Sequence, residues 1–160
     1  MPAQIRAATP ADVPLILEFI RALADYEKLS HEVEATEKKL HATLFSERPA
    51  AECLLVFADD LAQAPAGFAI YFTNYSTFLA RPGLYLEDLF VKPEFRGRGL
   101  GKALLLHLAR LANTRGCGRM EWTVLDWNAP AIALYESLGA RRLLTWQICR
   151  LTGDALARYR

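Results

Sequence analysis

The stretch LYLEDLFVKPEFRGRGLGK, Leu84 to Lys102, joins an extended segment to a helix through three alternate glycines. Leu84 to Val91 reads as a strand. Its alternation sets Tyr85, Glu87, Leu89 and Val91 on one face and Leu86, Asp88 and Phe90 on the other. Two adjacent carboxylates inside so apolar a strand are anomalous. Lys92-Pro93-Glu94-Phe95 stops the strand, and Arg96-Gly97-Arg98-Gly99-Leu100-Gly101-Lys102 opens a helix whose apolar stripe is Leu100, Leu104, Leu108 and Leu111. A glycine-rich turn at a helix N-terminus presents unpaired backbone N–H groups near the positive end of the helix dipole, which makes an anion site. Arg96, Arg98 and Lys102 add positive charge. The competing reading is a chain reversal flanked by solvated cations.

Outward from this stretch, Gln4 to Ala8 is a strand candidate. Thr9-Pro10-Ala11-Asp12 starts a helix, with Asp12 where a capping-box acid belongs, and Val13, Ile16, Leu17, Ile20 and Leu23 carry it to about Lys28. A second helix is expected from Glu34 to Phe45. Cys53 to Phe57 and Gly67 to Phe72 then form a hairpin across a turn-rich Asp59 to Pro65. Beyond the long helix, which Gly116 ends, Met120 to Leu125 is a strand. Asn128 caps a short helix holding Tyr135 and closed by Gly139. Arg142 to Leu151 reads as a last strand or strand pair. The order implies one α/β domain over residues 1–160, with a mixed, mostly antiparallel central sheet flanked by helices.

Composition narrows the function classes. The chain has 160 residues, 52% of them hydrophobic, enough for one core without disulfides or a structural metal. Nineteen Lys+Arg against 18 Asp+Glu leave a net charge of +1. Nothing in that balance favours nucleic acid or an anionic membrane surface, so an anion site must be local. No apolar run reaches the roughly 18–20 residues of a membrane span. The N-terminus lacks a signal-peptide pattern, so the cytoplasm is expected. Cys53, Cys117 and Cys149 read as reduced thiols, and His31, His41 and His107 lack metal-ligand spacing, so no metal is expected.

The two common nucleotide loops fail here. A P-loop would need Gly at Arg96 and a hydroxyl at Ala103; a dinucleotide fingerprint would need Gly at Lys102. What fits is Arg96-x-x-Gly99-x-Gly101 after a strand. It resembles the Arg/Gln-x-x-Gly-x-Gly/Ala signature of the Gcn5-related N-acetyltransferases, in which the loop cradles the pyrophosphate of acetyl-CoA. Asp126-Trp127-Asn128 followed by Tyr135 and Gly139-Ala140 is similar to a later motif of that superfamily. Tyr26-Glu27-Lys28-Leu29, Leu86-Glu87-Asp88 and Asn74-Tyr75-Ser76-Thr77-Phe78 resemble its diamine branch, the spermidine/spermine and thialysine N-acetyltransferases. The likeness covers about residues 4–140 and departs after Arg141.

The resemblance implies a fold of that superfamily and direct transfer from acetyl-CoA to a primary amine of a small molecule, without metal. It implies cofactor contacts at Leu89, Phe90, Val91, Arg96, Gly97, Arg98, Gly99, Leu100, Gly101, Lys102 and Asn128, and a homodimer. Neutralising a lysine-like ammonium of pKa about 10.4 at pH 7 costs on the order of 4–5 kcal/mol, so a base is needed. Glu87 is the candidate base, with an ion pair to an arginine as the alternative. A thiolate leaving group needs an acid, and Tyr135 is the candidate, with core packing as the alternative. The Leu89 N–H would hold the carbonyl oxygen. Glu27 and Glu87 would attract the amine's ammonium group, and Asp88, on the opposite face, would bind substrate by lining its channel or accepting a hydrogen bond. No Asp or Glu occurs between Leu61 and Leu86, where the resemblance puts a carboxylate in polyamine-selective members, so a thialysine-like, lysine-like or short diamine substrate is favoured. A protein or peptide acetyltransferase and a non-catalytic CoA-binding module are the competing functions.

Overall fold

In a computed structural model, which describes residues 3–59 and 63–160, the chain begins with β1 (Gln4–Ala7) and a 3-10 turn, Pro10–Asp12, that leads into α1 (Val13–Tyr26). The entry into α1 is fixed as its residues predict. The Asp12 carboxylate accepts from the Thr9 backbone N–H at 2.7 Å and takes two bonds from the Arg6 guanidinium, at 2.7 and 2.9 Å. Strand, turn and helix are thereby joined through one side chain. The Arg6 bond holds the Asp12 carboxyl at a pKa of about 2.

The following helix, α2 (Glu37–Leu44), starts later than its periodicity suggests. Thr36 takes the N-cap position and its Oγ1 accepts from the Lys39 N–H, so residues 34 and 35 remain outside. Three antiparallel strands then follow: β2 (Glu52–Phe57), β3 (Pro65–Ser76) and β4 (Arg81–Val91). Part of the turn expected from Asp59 to Pro65 lies outside the described residues. Within the rest, Asp59 Oδ1 accepts from the N–H groups of Gln63 and Ala64. After α3 (Leu100–Thr114), β5 (Arg119–Trp122) lies parallel to β4, giving the sheet order β1-β2-β3-β4-β5.

Both faces of the sheet are covered. On one, Val13, Ile16 and Phe19 of α1 pack with Leu55, Phe57, Phe68, Ile70 and Phe90. The Phe19 and Phe68 rings stack at 5.4 Å. On the other, Leu100, Leu104, Leu105 and Leu108 of α3 are buried against β2, β3 and β4. Residues 1–123 form one compact unit and residues 124–160 a second. The second holds α4 (Ala129–Ser137), capped by Asn128 as its sequence predicts, and α5 (Gly153–Ala157).

The structure corrects the C-terminal reading. Arg142 to Leu151 forms no strand. Alternation supplies a strand's side-chain pattern, but a strand also needs a ladder for its N–H and C=O groups. Among the described residues the segment has none, only a turn in which Trp146 N–H donates to the Leu143 carbonyl. Similarly, β5 stops at Trp122 rather than Leu125, where its register with β4 ends at Leu86.

Asp12→Asn is expected to cost about 1–2 kcal/mol at pH 7, discounted for the partly exposed Arg6. Because folding depresses the Asp12 pKa, its stabilisation is complete above the unfolded value near 4 and vanishes as pH falls through 2. Urea midpoints of wild type and variant should therefore converge over that window.

Candidate active site

The two adjacent carboxylates have a structural cause. Ile70 pairs with Asp88 and Tyr71 with Leu86, so Glu87 is an extra residue in β4, a β-bulge. Residues directly opposite share a sheet face. Phe68, Ile70 and Phe72 therefore place Phe90, Asp88 and Tyr85 together on the α1 face, while Gly67, Ala69 and Tyr71 place Val91, Leu89 and Leu86 on the α3 face. The simple alternation expected from the sequence is thus broken at Glu87. Tyr85 changes sides relative to Leu89 and Val91, and Leu86 relative to Asp88 and Phe90. The Phe72 and Tyr85 rings lie 5.1 Å apart, as that placement requires.

Glu87 is exposed, and Asp88 beside it is half-buried. Burial, then the charges of Glu87 and Glu27, push the Asp88 carboxyl up to about 6. Glu27 stands at the end of α1, and burial raises its pKa too. The fold therefore gathers Glu27, Glu87 and Asp88, the three carboxylates singled out by sequence. None of the ion pairs among the described residues involves them, so the arginine pairing considered for Glu87 is not found.

The turn that sets Glu27 is strained. Lys28 has φ of +61°, its N–H donates to the Asp25 carbonyl, and the Leu29 N–H donates to the Ala24 carbonyl. This helix-ending motif usually places glycine where Lys28 stands. The helix accordingly stops at Tyr26, two residues before its expected end.

At the other end of β4, Gly97 and Gly99 both have φ of +77°, and a Cβ on either would meet nothing within 4 Å. Left-handed glycines before a helix N-terminus, open on the outside, match an anion nest. Gly101 differs: a Cβ there would lie 3.7 Å from Leu89 and 3.8 Å from Val91, in ordinary contact. Leu100, Phe90 and Val91 are buried in the core, so only their backbones are available to a ligand. Arg98 and Lys102 are exposed, with the Arg98 guanidinium 5.4 Å from the Phe95 ring centre.

Arg96 has other contacts. Its Nε donates to the Val91 carbonyl at 2.9 Å, and its guanidinium lies over the rings of Tyr26 and Phe90, 4.8 and 5.5 Å from their centres. Sequence reasoning gave Arg96 a positive charge and an implied cofactor contact and did not single out the Tyr26 ring for a contact. The presence of an aromatic directly before Glu27 was the available signal.

Asn128 and Tyr135 belong to the second unit. The Asn128 side-chain oxygen accepts from the Ala131 N–H at 3.4 Å, and Tyr135 is half-buried on α4. Among the described residues no group of three or more His, Cys, Asp or Glu is placed to hold a metal ion. Cys53 is buried, its thiol pushed up to about 12, which leaves it inert.

The site thus offers two features along β4, a left-handed glycine turn with open backbone after one end and a carboxylate cluster at the bulge. The family model described as Acetyltransferase (GNAT) family matches residues 18–140, and the chain belongs to that family. It is an N-acetyltransferase, and the family uses acetyl-CoA. Thialysine N-epsilon-acetyltransferase of Bos taurus is 41% identical, over 95% of this chain and 94% of its own. An L-ornithine N5-acetyltransferase of Arabidopsis thaliana is 37% identical, over 96% of this chain and 86% of its own. Among solved structures, an integron cassette protein from the mobile metagenome of V.cholerae superimposes with a TM-score of 0.79 at 27% identity, covering 99% and 98% of the two chains.

Because folding raises the Asp88 pKa to about 6, the ionised carboxylate opposes folding. The contribution of Asp88 to stability is greatest below the unfolded value near 4 and is lost as pH rises through 6. Asp88→Asn should therefore raise stability by about 2 kcal/mol at pH 8 and change it little at pH 4, read from urea midpoints. Replacing Lys28 by glycine should add up to about 1 kcal/mol at either pH by relieving the left-handed turn.

Proposed function

We propose that this enzyme transfers the acetyl group of acetyl-CoA directly to the side-chain amine of a lysine-like or ornithine-like amino acid, or of a short diamine. The observation carrying this reading is the arrangement along β4. From the bulge at Glu87 to Val91 the strand rises about 13 Å, with carboxylates at one end and the glycine nest following the other. Across this span β4 keeps its pairing with β3 but has no ladder to β5 among the described residues. An extended cofactor arm with amide groups suits such an open edge, with its pyrophosphate on the N–H groups of Gly97 to Lys102.

In this reading the cofactor is held by the backbones of Leu89, Phe90, Val91, Gly97, Gly99, Leu100 and Gly101, with Arg98, Lys102 and Asn128 assisting. Glu27 and Asp88 receive the ammonium group. Glu87, exposed at the bulge, takes the proton that leaves the amine, directly or through water. The amine nitrogen attacks the thioester carbon, the Leu89 N–H stabilises the oxyanion, and the C–S bond breaks. Tyr135 then protonates the departing thiolate. The names of the bovine and plant relatives support an amino-acid side-chain amine as substrate. The Tyr75-Ser76-Thr77-Phe78 turn, without a carboxylate, agrees with them.

The proposal includes a homodimer working in the cytoplasm without a metal ion, all of it in one catalytic domain over residues 1–160. Support for self-association comes from Leu144, Trp146 and Ile148, which are 78, 80 and 68% exposed in a segment with a strand's alternation. No helix among the described residues is long and apolar enough to cross a membrane.

The direct test is release of free thiol from acetyl-CoA in the presence of ornithine, thialysine, lysine, putrescine and spermidine. Turnover with the amino acids above that with spermidine is expected, and none with any of these amines would refute the reading. Tyr135→Phe should lower kcat about tenfold or more while acetyl-CoA Kd stays within about twofold. Gly99→Ala, which places a Cβ on the open side of the loop at a φ of +77°, should cost about 1 kcal/mol of stability and weaken acetyl-CoA binding in calorimetry. Sedimentation equilibrium should give twice the chain mass.

A further inference from the structure

Two cations from the connection after β4 lie over aromatic rings of α1. Lys92 Nζ is 5.4 Å from the centre of the Phe19 ring and pairs with Glu18 at 3.0 Å, and the Arg96 guanidinium is 4.8 Å from the centre of the Tyr26 ring. Phe19 and Tyr26 are seven residues apart and so share one helix face. Residues 92–96 are thereby fastened to α1 at two points, two helical turns apart.

The second point lies between the two parts of the site. Arg96 opens the glycine loop, yet its Nε is committed to the Val91 carbonyl and its guanidinium covers the rings of Tyr26 and Phe90. Tyr26 is the last residue of α1, and Glu27 follows it. Phe90 shares its sheet face with Asp88, two residues earlier. Among the described residues no ion pair involves Glu27, Glu87 or Asp88, and burial, then the charges of Glu87 on β4 and Glu27 on α1, all push the Asp88 carboxyl up. Like charges on the end of α1 and on β4 repel each other. A guanidinium stacked on Tyr26 opposes that repulsion.

We infer that Arg96 is a positioning residue rather than a phosphate ligand: from the start of the glycine loop it holds the end of α1 against β4 and so fixes Glu27 beside Asp88. The inference rests on the acetyl-transfer reading for the roles of these carboxylates. It adds a physical link from the cofactor loop to the amine site, running through the Arg96–Tyr26 stack.

The test compares Tyr26→Leu, Tyr26→Phe, Arg96→Ala and the double variant Tyr26→Leu/Arg96→Ala. Calorimetry gives acetyl-CoA Kd, steady-state kinetics give amine KM and kcat, and carboxyl NMR follows the Asp88 titration. Tyr26→Leu should raise amine KM about five- to tenfold, with acetyl-CoA Kd within about twofold and the Asp88 midpoint shifted down. Tyr26→Phe, which keeps the ring, should lie closer to the wild type than Tyr26→Leu in all three values. Arg96→Ala should reproduce the Tyr26→Leu effect, and the double variant should add nothing. A tenfold rise in acetyl-CoA Kd for Arg96→Ala, with amine KM unchanged in Tyr26→Leu, would make Arg96 a phosphate contact and overturn the inference. Lower melting temperature alone, with KM and the Asp88 titration unmoved, would reduce the stack to a structural contact. Absence of turnover in the wild type is the failure of the acetyl-transfer reading, and the Asp88 titration still reports whether the brace exists.

Discussion

One inserted residue, Glu87, controls the geometry of β4 and through it the site. A strand in regular alternation would have separated Tyr85 from Asp88 and would have kept Leu86 with Asp88 and Phe90. The bulge exchanges those partners in mid-strand. Leu84 and Leu86 stay with the α3 face while Asp88 and Phe90 turn toward α1. The ladder to β5 ends at Leu86, beside the bulge, so the later half of β4 keeps neighbours on only one edge. A local change in backbone register thus produces both the exposed carboxylate and the open edge.

The electrostatics follow from this geometry. Among the described residues no ion pair involves Glu27, Glu87 or Asp88, and burial, then the charges of Glu87 and Glu27, push the Asp88 carboxyl up to about 6. Such a cluster is costly for folding and suited to an ammonium ligand, the usual relation between stability and a functional site. The positive groups lie further along the chain, at Arg96, Arg98 and Lys102, after the strand ends. Within a chain of near-neutral overall charge the two sets of groups stand apart, three cations after β4 and three carboxylates around its bulge. In the proposed reading this separation along β4 accommodates a co-substrate with phosphates at one end and a reacting carbonyl at the other.

Much of this was legible in the residues. Asp12 as a capping acid, Asn128 as the cap of α4, Gly116 and Gly139 as helix ends, and the glycine nest at 97–99 are local features, set by side-chain hydrogen bonds and allowed φ values. The adjacent acids at 87 and 88 marked the functional strand. Their different exposure was not legible, because a bulge is defined by the partner strand's register. Residues 142–151 show the opposite case. Leu144, Trp146 and Ile148 alternate as a strand would, but alternation describes a face and does not provide a ladder.

The sequence by itself determined the order of elements from β1 to α4, the left-handed glycine turn before α3 and the family, since each depends on residues close together in the chain. Tertiary structure alone decided that Asp88 and Glu27 would share an environment, that Glu87 would stand clear of pairing, and that Arg96 would lie over Tyr26, 70 positions away. The reason is physical. Capping, turn and helix preferences act over a few residues, whereas pKa shifts and ring–cation contacts depend on distances that only the packing of α1 against β4 creates.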